Sequence, residues 1–353
     1  MGTLERSLRS TLYTNTLLAG PEIKLHMRSS STEEQYLPMP RGRTLAYSAA
    51  GTPTSTTVAL YLHGAFTVGN ASKPPKPMVD EDKPIHYICP TLPGWGKTSP
   101  PLPDTEYVDC VTGDMTALLE HLYPNNADEI KLYVAGASFG SLPAQMLYGA
   151  PYAKFPFGRR IAGLLLVVPT ASYRHFTDYY KTLDWFSYLF AGPIVKYDYF
   201  QIVPKIMALL IGAQFANADR AEAALKRSLF ATMDDDEREV YRKWREDNRV
   251  SEREALRELA ELAVRSVQTS WEGIRMLPRI GHADWGFHPD TLDEEHNRPP
   301  VLVVSARQDR MAPEVHQRYL VDHYKNARMK YIDGGHSAPR YYMDELWDEL
   351  FSR

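Results

Sequence analysis

Gly136-Ala137-Ser138-Phe139-Gly140 sets a serine between two glycines in a G-x-S-x-G pattern. A serine hydroxyl is a weak nucleophile until a base takes its proton, so the pattern carries chemistry only if the chain supplies that base. Of the eleven histidines, His121 falls in a helical pattern, and His282, His288 and His296 fall in a long helical stretch or at its exit. His336 is different: it sits in Asp333-Gly334-Gly335-His336-Ser337, where two glycines let a loop turn back. Only a neutral ring can accept the serine proton, and a carboxylate is needed to fix the tautomer and stabilise the imidazolium. Asp309, in Ser305-Ala306-Arg307-Gln308-Asp309, follows a strand-like run. Asp333 is a rival acid, but it is too near His336 in sequence to orient the ring from behind. Ser138, Asp309 and His336 together could perform acyl transfer, with the serine attacking a carbonyl carbon.

The elements around these residues read as a sheet that would bring them together. Strand patterns run over 44–49, 58–62, 86–89, 130–135, 161–168, 300–305 and 330–332. The 130–135 and 161–168 runs are almost wholly apolar, as strands buried on both faces must be. Helix-compatible stretches separate the strands, which implies a mostly parallel, doubly wound α/β sheet. Ser138 then lies at a strand-to-helix turn, and Asp309 also follows a strand. Both sit at the carboxyl edge, where catalytic groups of open α/β sheets gather. Glycines at 136 and 140 relieve crowding at so sharp a turn. Lys73-Pro74-Pro75-Lys76-Pro77 falls where a covering helix would be expected, but prolines at that density forbid one, so an irregular loop is expected there.

Between residues 172 and 297 strand patterns fade and helical ones dominate. Ser251-x-x-Glu254 is a capping box that opens a helix carrying Leu256, Leu259 and Leu262 on one face. Asp234-Asp235-Asp236-Glu237 could suggest a metal site. A helix start accounts for it better, with Asp234 as N-cap and the acids at the positive end of the helix dipole. The expected division is an N-terminal extension over 1–32, an α/β core over 33–171 and 298–353, and a helical insertion over 172–297. The start of the insertion is rich in aromatic residues, among them Tyr173, Phe176, Tyr179, Tyr180, Trp185, Phe186, Tyr188 and Phe190. Packing onto the core explains such residues by default; an apolar pocket for a substrate is the sharper expectation.

The order Ser, Asp, His resembles that of the α/β-hydrolase fold family. The resemblance spans nearly the whole chain beyond the first thirty or so residues. It rests on His63-Gly64-Ala65-Phe66, Pro93-Gly94-Trp95-Gly96-Lys97-Thr98-Ser99, Gly136–Gly140, Asp309 with Pro313 nearby, and Gly335-His336. It implies an α/β-hydrolase core with a helical cap inserted after the sixth strand, lying as a lid over the site. It also implies an oxyanion hole made by the backbone N–H groups of Ala65 and Phe139, donors worth about 2.7–4 kcal/mol each in acyl transfer. In the family the counterpart of His63 looks structural rather than basic. The H-G-G-G form of some lipases and esterases is absent.

Composition narrows the partners. A hydrophobic fraction of 44% with 24% charged residues fits a globular protein, and a net charge of -4 gives nucleic acid or an anionic membrane no handle. No secretory apolar run is visible near the N-terminus, and the two cysteines, Cys89 and Cys110, form no C-x-x-C pair. Reduced thiols and a cytoplasmic location are expected. No metal or organic cofactor is implied. The expected activity is hydrolysis of an ester or thioester of a hydrophobic small-molecule acid. Carbon–carbon or amide hydrolysis, non-hydrolytic acyl transfer or cyclisation, and a ligand receptor with residual turnover all fit the same residues.

Overall fold

The computed structural model describes residues 32–183, 188, 192–193 and 202–353. Its frame is one eight-stranded sheet: β1 (Gln35–Pro38), β2 (Thr44–Gly51), β3 (Thr57–Leu62), β4 (His86–Pro90), β5 (Lys131–Ala137), β6 (Ile161–Val167), β7 (Val301–Ala306) and β8 (Ala327–Ile332). The strand order is β1-β2-β4-β3-β5-β6-β7-β8. β1 and β2 pair antiparallel, as do β2 and β4, and every later pairing is parallel. The central strands are buried on both faces because their side chains alternate between two apolar layers. Leu60, Val134, Leu166 and Val303 join one layer; Ala59, Ala135, Leu165 and Val304 join the other. Continuous apolar runs are what such strands require.

Helices α1 (Tyr107–Leu122), α2 (Ser141–Gly149) and α8 (Glu314–His323) cover the first layer, and α9 (Met343–Phe351) covers the second. Between β3 and β4 the proline-rich stretch makes no α-helix. It forms one short 3-10 turn, Lys76–Val79, which seats Met78 in the second layer and is tied down where Lys76 N–H donates to Asp344 Oδ1 at 2.8 Å. Between β6 and β7 the regular elements among the described residues are all helical. The α-helices there are α3 (Ile202–Gly212), α4 (Ala218–Thr232), α5 (Asp235–Asp247), α6 (Glu252–Val267) and α7 (Glu272–His282). Asp234 caps α5 by accepting from Glu237 N–H at 2.8 Å, and Ser251 and Glu254 form a reciprocal capping box on α6. Tyr173 stacks on Tyr179, Tyr173 and Phe176 both pack on His316, and Phe176 also stacks on Tyr319. Trp185, Phe186 and Phe190 lie outside the described residues.

Register places the functional edge. Leu62 at the end of β3 pairs with Gly136 of β5, Ala137 with Val167 of β6, Val167 with Val304 of β7, and Ala306 with Ile332 of β8. The carboxyl ends of five neighbouring strands are therefore level, and the loops leaving them share one rim. Among the described residues, no helix is long and apolar enough to cross a membrane.

Candidate active site

Ser138 leaves β5 with φ at +51°, in the left-handed region that costs a residue with a side chain about 1–3 kcal/mol. The turn runs through Ser138–Gly140 straight into α2. Its tightness explains both flanking glycines. A Cβ at Gly136 would lie 2.2 Å from Gly140 O, and one at Gly140 would lie 2.2 Å from Leu62 O. These obstacles are backbone of the sheet and the turn, which cannot give way. Gly140→Ala is expected to lose about 3 kcal/mol of stability. Denaturant unfolding checks this, and an unchanged midpoint would contradict the crowded turn.

His336 follows β8, and its ring lies between the other two groups. Its Nε2 is 2.8 Å from Ser138 Oγ and its Nδ1 is 2.7 Å from Asp309 Oδ2. The Asp309 side chain is only 2% exposed, against 18% for His336. The other Asp309 oxygen accepts Met311 N–H at 2.8 Å and Ala312 N–H at 3.0 Å. Backbone donors thus aim the carboxylate, so that Oδ2 is left for the ring. Asp333, the rival acid, pairs instead with Arg307 Nε at 3.3 Å on an exposed surface. The arrangement can move a proton from Ser138 Oγ to His336 Nε2 while Asp309 faces the positive charge that develops.

The loop after β3 supplies the opposite wall. A Cβ at Gly64 would meet Ser138 Cβ at 3.5 Å, so the peptide leading to Ala65 runs directly beside the serine. Phe139 follows the serine at the head of α2, where free backbone N–H groups favour a developing anion. His63 does not face Ser138 as a base. Its Nε2 accepts Leu92 N–H at 2.9 Å and its Nδ1–H donates to Gly64 O at 2.7 Å, which pins the β3 loop to the β4 loop. Burial pushes its pKa down to about 4.

Burial likewise pushes His86 and His316 down to about 4. His86 Nδ1 lies 2.6 Å from Tyr123 Oη, and His316 Nδ1 accepts Ala171 N–H at 3.3 Å. An unfolded histidine titrates near 6.5, so the unfolded chain binds more protons than the folded one between about pH 6.5 and 4. Stability from these three rings is complete above pH 6.5 and is lost as pH falls toward 4, by on the order of 1 kcal/mol or more for each ring. Thermal unfolding at pH 7 and pH 5 should show a clear fall in Tm at the lower pH. Equal Tm values would contradict the buried neutral rings.

A model of the alpha/beta hydrolase family matches residues 59–350, which include most of β3, every later strand and all three site residues. The chain belongs to the alpha/beta hydrolase family. Its members among solved structures share the fold at low identity. An enol-lactonase from Burkholderia xenovorans LB400 is 17% identical, with a TM-score of 0.54 covering 90% of this chain and 100% of that one. A thermophilic esterase from Thermogutta terrifontis is 17% identical, with a TM-score of 0.52 covering 91% and 97%. The 2-hydroxy-6-oxo-6-phenylhexa-2,4-dienoate hydrolase from Rhodococcus sp. strain RHA1 is 18% identical, with a TM-score of 0.52 covering 92% and 97%. A comparison with curated proteins gives no match. The family makes this chain an enzyme of hydrolase type.

Two residues of this alpha/beta hydrolase site have no motif in the sequence. Gln308 Oε1 accepts Gly334 N–H at 2.6 Å and Gln308 N–H donates to Gly334 O at 3.1 Å, joining the loop of Asp309 to the loop of His336. Glu237 Oε2 accepts Gly335 N–H at 2.9 Å from helix α5. The acidic run 234–237 reads in sequence only as a helix start. The one available signal was the pair Gly334-Gly335, which leaves room for a partner against the loop.

Proposed function

We propose that this chain hydrolyses an ester or thioester of a hydrophobic small-molecule acid through an acyl-enzyme on Ser138. The observation that carries the reading is the unbroken relay from Ser138 Oγ through His336 to the buried carboxylate of Asp309. As Ser138 Oγ bonds to the acyl carbon, its proton passes to His336 Nε2 and the carbonyl π pair moves onto the oxygen. The N–H groups of Ala65 and Phe139 receive that oxyanion. Collapse breaks the bond to the leaving group, which takes the proton back from His336. Water then repeats the attack with His336 as base, releasing the acid and restoring Ser138.

In this reading, residues 172–297 act as a cap that selects the acyl group. Support comes from an open cavity of about 820 Å³ among the inserted helices, lined by Leu209, Phe215, Val267 and Trp271 together with Lys205 and Arg275; it does not itself reach Ser138. Phe215 packs on Phe66 with ring centroids 5.1 Å apart, and Phe66 follows Ala65 in the loop beside the serine. A cavity of that size can take a drug-sized group, and the Phe215–Phe66 contact is what links it to the serine. The core groups are common to all acyl transfers and cannot choose among substrates. The substrate reaches the enzyme in a reducing, cytoplasmic setting, a reading supported by two buried free thiols, Cys89 and Cys110.

The test is kcat/KM over acyl esters of rising chain length, for the wild type and for Phe215→Ala. Each buried CH₂ adds about 0.8 kcal/mol, so the wild-type value should climb about three- to fourfold per methylene, and the variant should climb less. A flat wild-type series would contradict an apolar acyl site. Tight binding of the esters without turnover would favour a receptor over an enzyme.

A further inference from the structure

The geometry points to Glu237 as a positioning residue for His336: a carboxylate from helix α5 holds, by one hydrogen bond to the Gly335 N–H, the loop that presents the base. The inference rests on the serine-hydrolase reading above and adds a residue to it from outside the sheet.

Helix α5, DDEREVYRKWRED, is charged at most of its positions, yet Glu237 is 3% exposed and is the only acid among the helix's buried residues. The buried pair Glu237 and Tyr241 lies one turn apart, so one stripe of α5 faces the protein. That stripe docks on the segment that follows His336. Tyr241 and Trp244 pack on Tyr341 with ring centroids 5.4 and 5.5 Å apart, and Arg340 lies over the Trp244 ring at 5.3 Å. A charged side chain pays a desolvation cost for burial unless it finds a partner. For Glu237 the partner is the backbone N–H one residue before His336, at 2.9 Å.

The loop itself is shaped for this contact. Gly334 has φ at +108°, and a Cβ there would lie 3.1 Å from the Glu237 carboxyl carbon and 2.5 Å from Ala338 Cβ. A Cβ at Gly335 would meet Glu237 Oε2 at 3.5 Å. From the other side Gln308 binds both the N–H and the C=O of Gly334. Gly334-Gly335-His336 is therefore held between two clamps, one on the loop that carries Asp309 and one on α5. The Gln308 clamp keeps acid and base together. The Glu237 clamp ties the pair to α5, which also packs on Tyr341 just beyond His336 and so braces the loop at two points. A loop of two glycines has little stiffness of its own, and a misplacement of about 1 Å at a reacting group can cost on the order of 100-fold in rate.

The carboxyl of Glu237 is pushed above the usual range by burial, opposed by the Gly335 N–H and reinforced by the negative charges of Asp234 and Asp309. The contact needs only an acceptor oxygen at this position, and a neutral amide supplies one at the same reach.

The test compares Glu237→Gln with Glu237→Asp in the full-length chain, on an ester the wild type turns over. Gln keeps the acceptor at full reach; Asp keeps the charge but withdraws the oxygen by one methylene. The expected result is kcat within about threefold of wild type for Gln and at least tenfold lower for Asp, with KM unchanged in both and both folded by circular dichroism. A merely structural brace would lower Tm in both variants and leave kcat alone; that outcome overturns the inference. A loss of kcat in Gln with Asp near wild type would place the effect on charge rather than on the hydrogen bond, and equal losses in both would tie it to neither the reach nor the charge; either result also overturns the inference. Glu237→Ala, where it folds, should match Asp; wild-type kcat in folded Ala is a third contrary result. A wild type that turns over no ester would instead strike at the serine-hydrolase reading itself, independently of Glu237.

Discussion

Ser138→Ala is expected to lower kcat by about 10⁵–10⁶-fold, with KM for an ester substrate changed little. The hydroxyl is the only atom the substitution removes, and its loss ends the covalent route. The rest of the site is untouched: His336 keeps its bond to Asp309 at 2.7 Å, and the loops carrying Ala65 and Phe139 stay in place. Backbone donors and binding alone sustain the residual rate. Alanine at position 138 inherits the same backbone at φ +51°, so stability should not rise or fall by more than about 1 kcal/mol. Steady-state kinetics on purified, folded protein checks this. A loss smaller than tenfold would mean that the main route does not pass through this serine.

Asp309→Asn is expected to lower kcat by about 10⁴-fold while leaving the fold nearly intact. The amide oxygen can still accept from Met311 and Ala312, the two backbone donors that hold Asp309 Oδ1. The amide NH₂ then faces His336 Nδ1 where a carboxylate oxygen stood. It donates to that nitrogen and drives the ring proton onto Nε2, which faces Ser138 and can no longer accept its proton. Among the described residues, the two acids closest to this loop are already engaged. Asp333 is paired with Arg307, and Glu237 is bonded to Gly335. The comparison to make is kcat together with Tm for wild type and variant. Retention of most of the turnover would require another acid. A large fall in Tm would instead show that the charge holds the fold.

The parts of the site legible in the sequence are those with a local reason. The strained turn at Ser138 needs glycine at 136 and 140, and those two letters announce it. Asp309 follows a strand whose apolar run is visible, and His336 follows the short strand pattern at 330–332, so their place at the carboxyl rim follows from parallel pairing. Strand β1 was not legible, because Gln35–Pro38 is short and lies at the sheet edge, with alternate residues exposed. Strand β8 was read from 330, but begins at Ala327, since its outer half is only partly buried and lacks an apolar run. Glu237 and Gln308 were invisible for a different reason. Their partners are backbone groups of Gly334 and Gly335, which leave no side-chain partner in the sequence to match them with. In Glu237 the letter was already explained by helix capping, and only the third dimension reveals that the same residue reaches the loop of His336.

The most direct measurement is to treat the wild-type protein with a fluorophosphonate and map the adduct by peptide mass spectrometry. The account predicts one adduct per chain, on Ser138, with esterase activity lost in proportion to labelling and no adduct in Ser138→Ala. An unlabelled wild type, or labelling at another residue that persists in Ser138→Ala, would contradict Ser138 as the nucleophile.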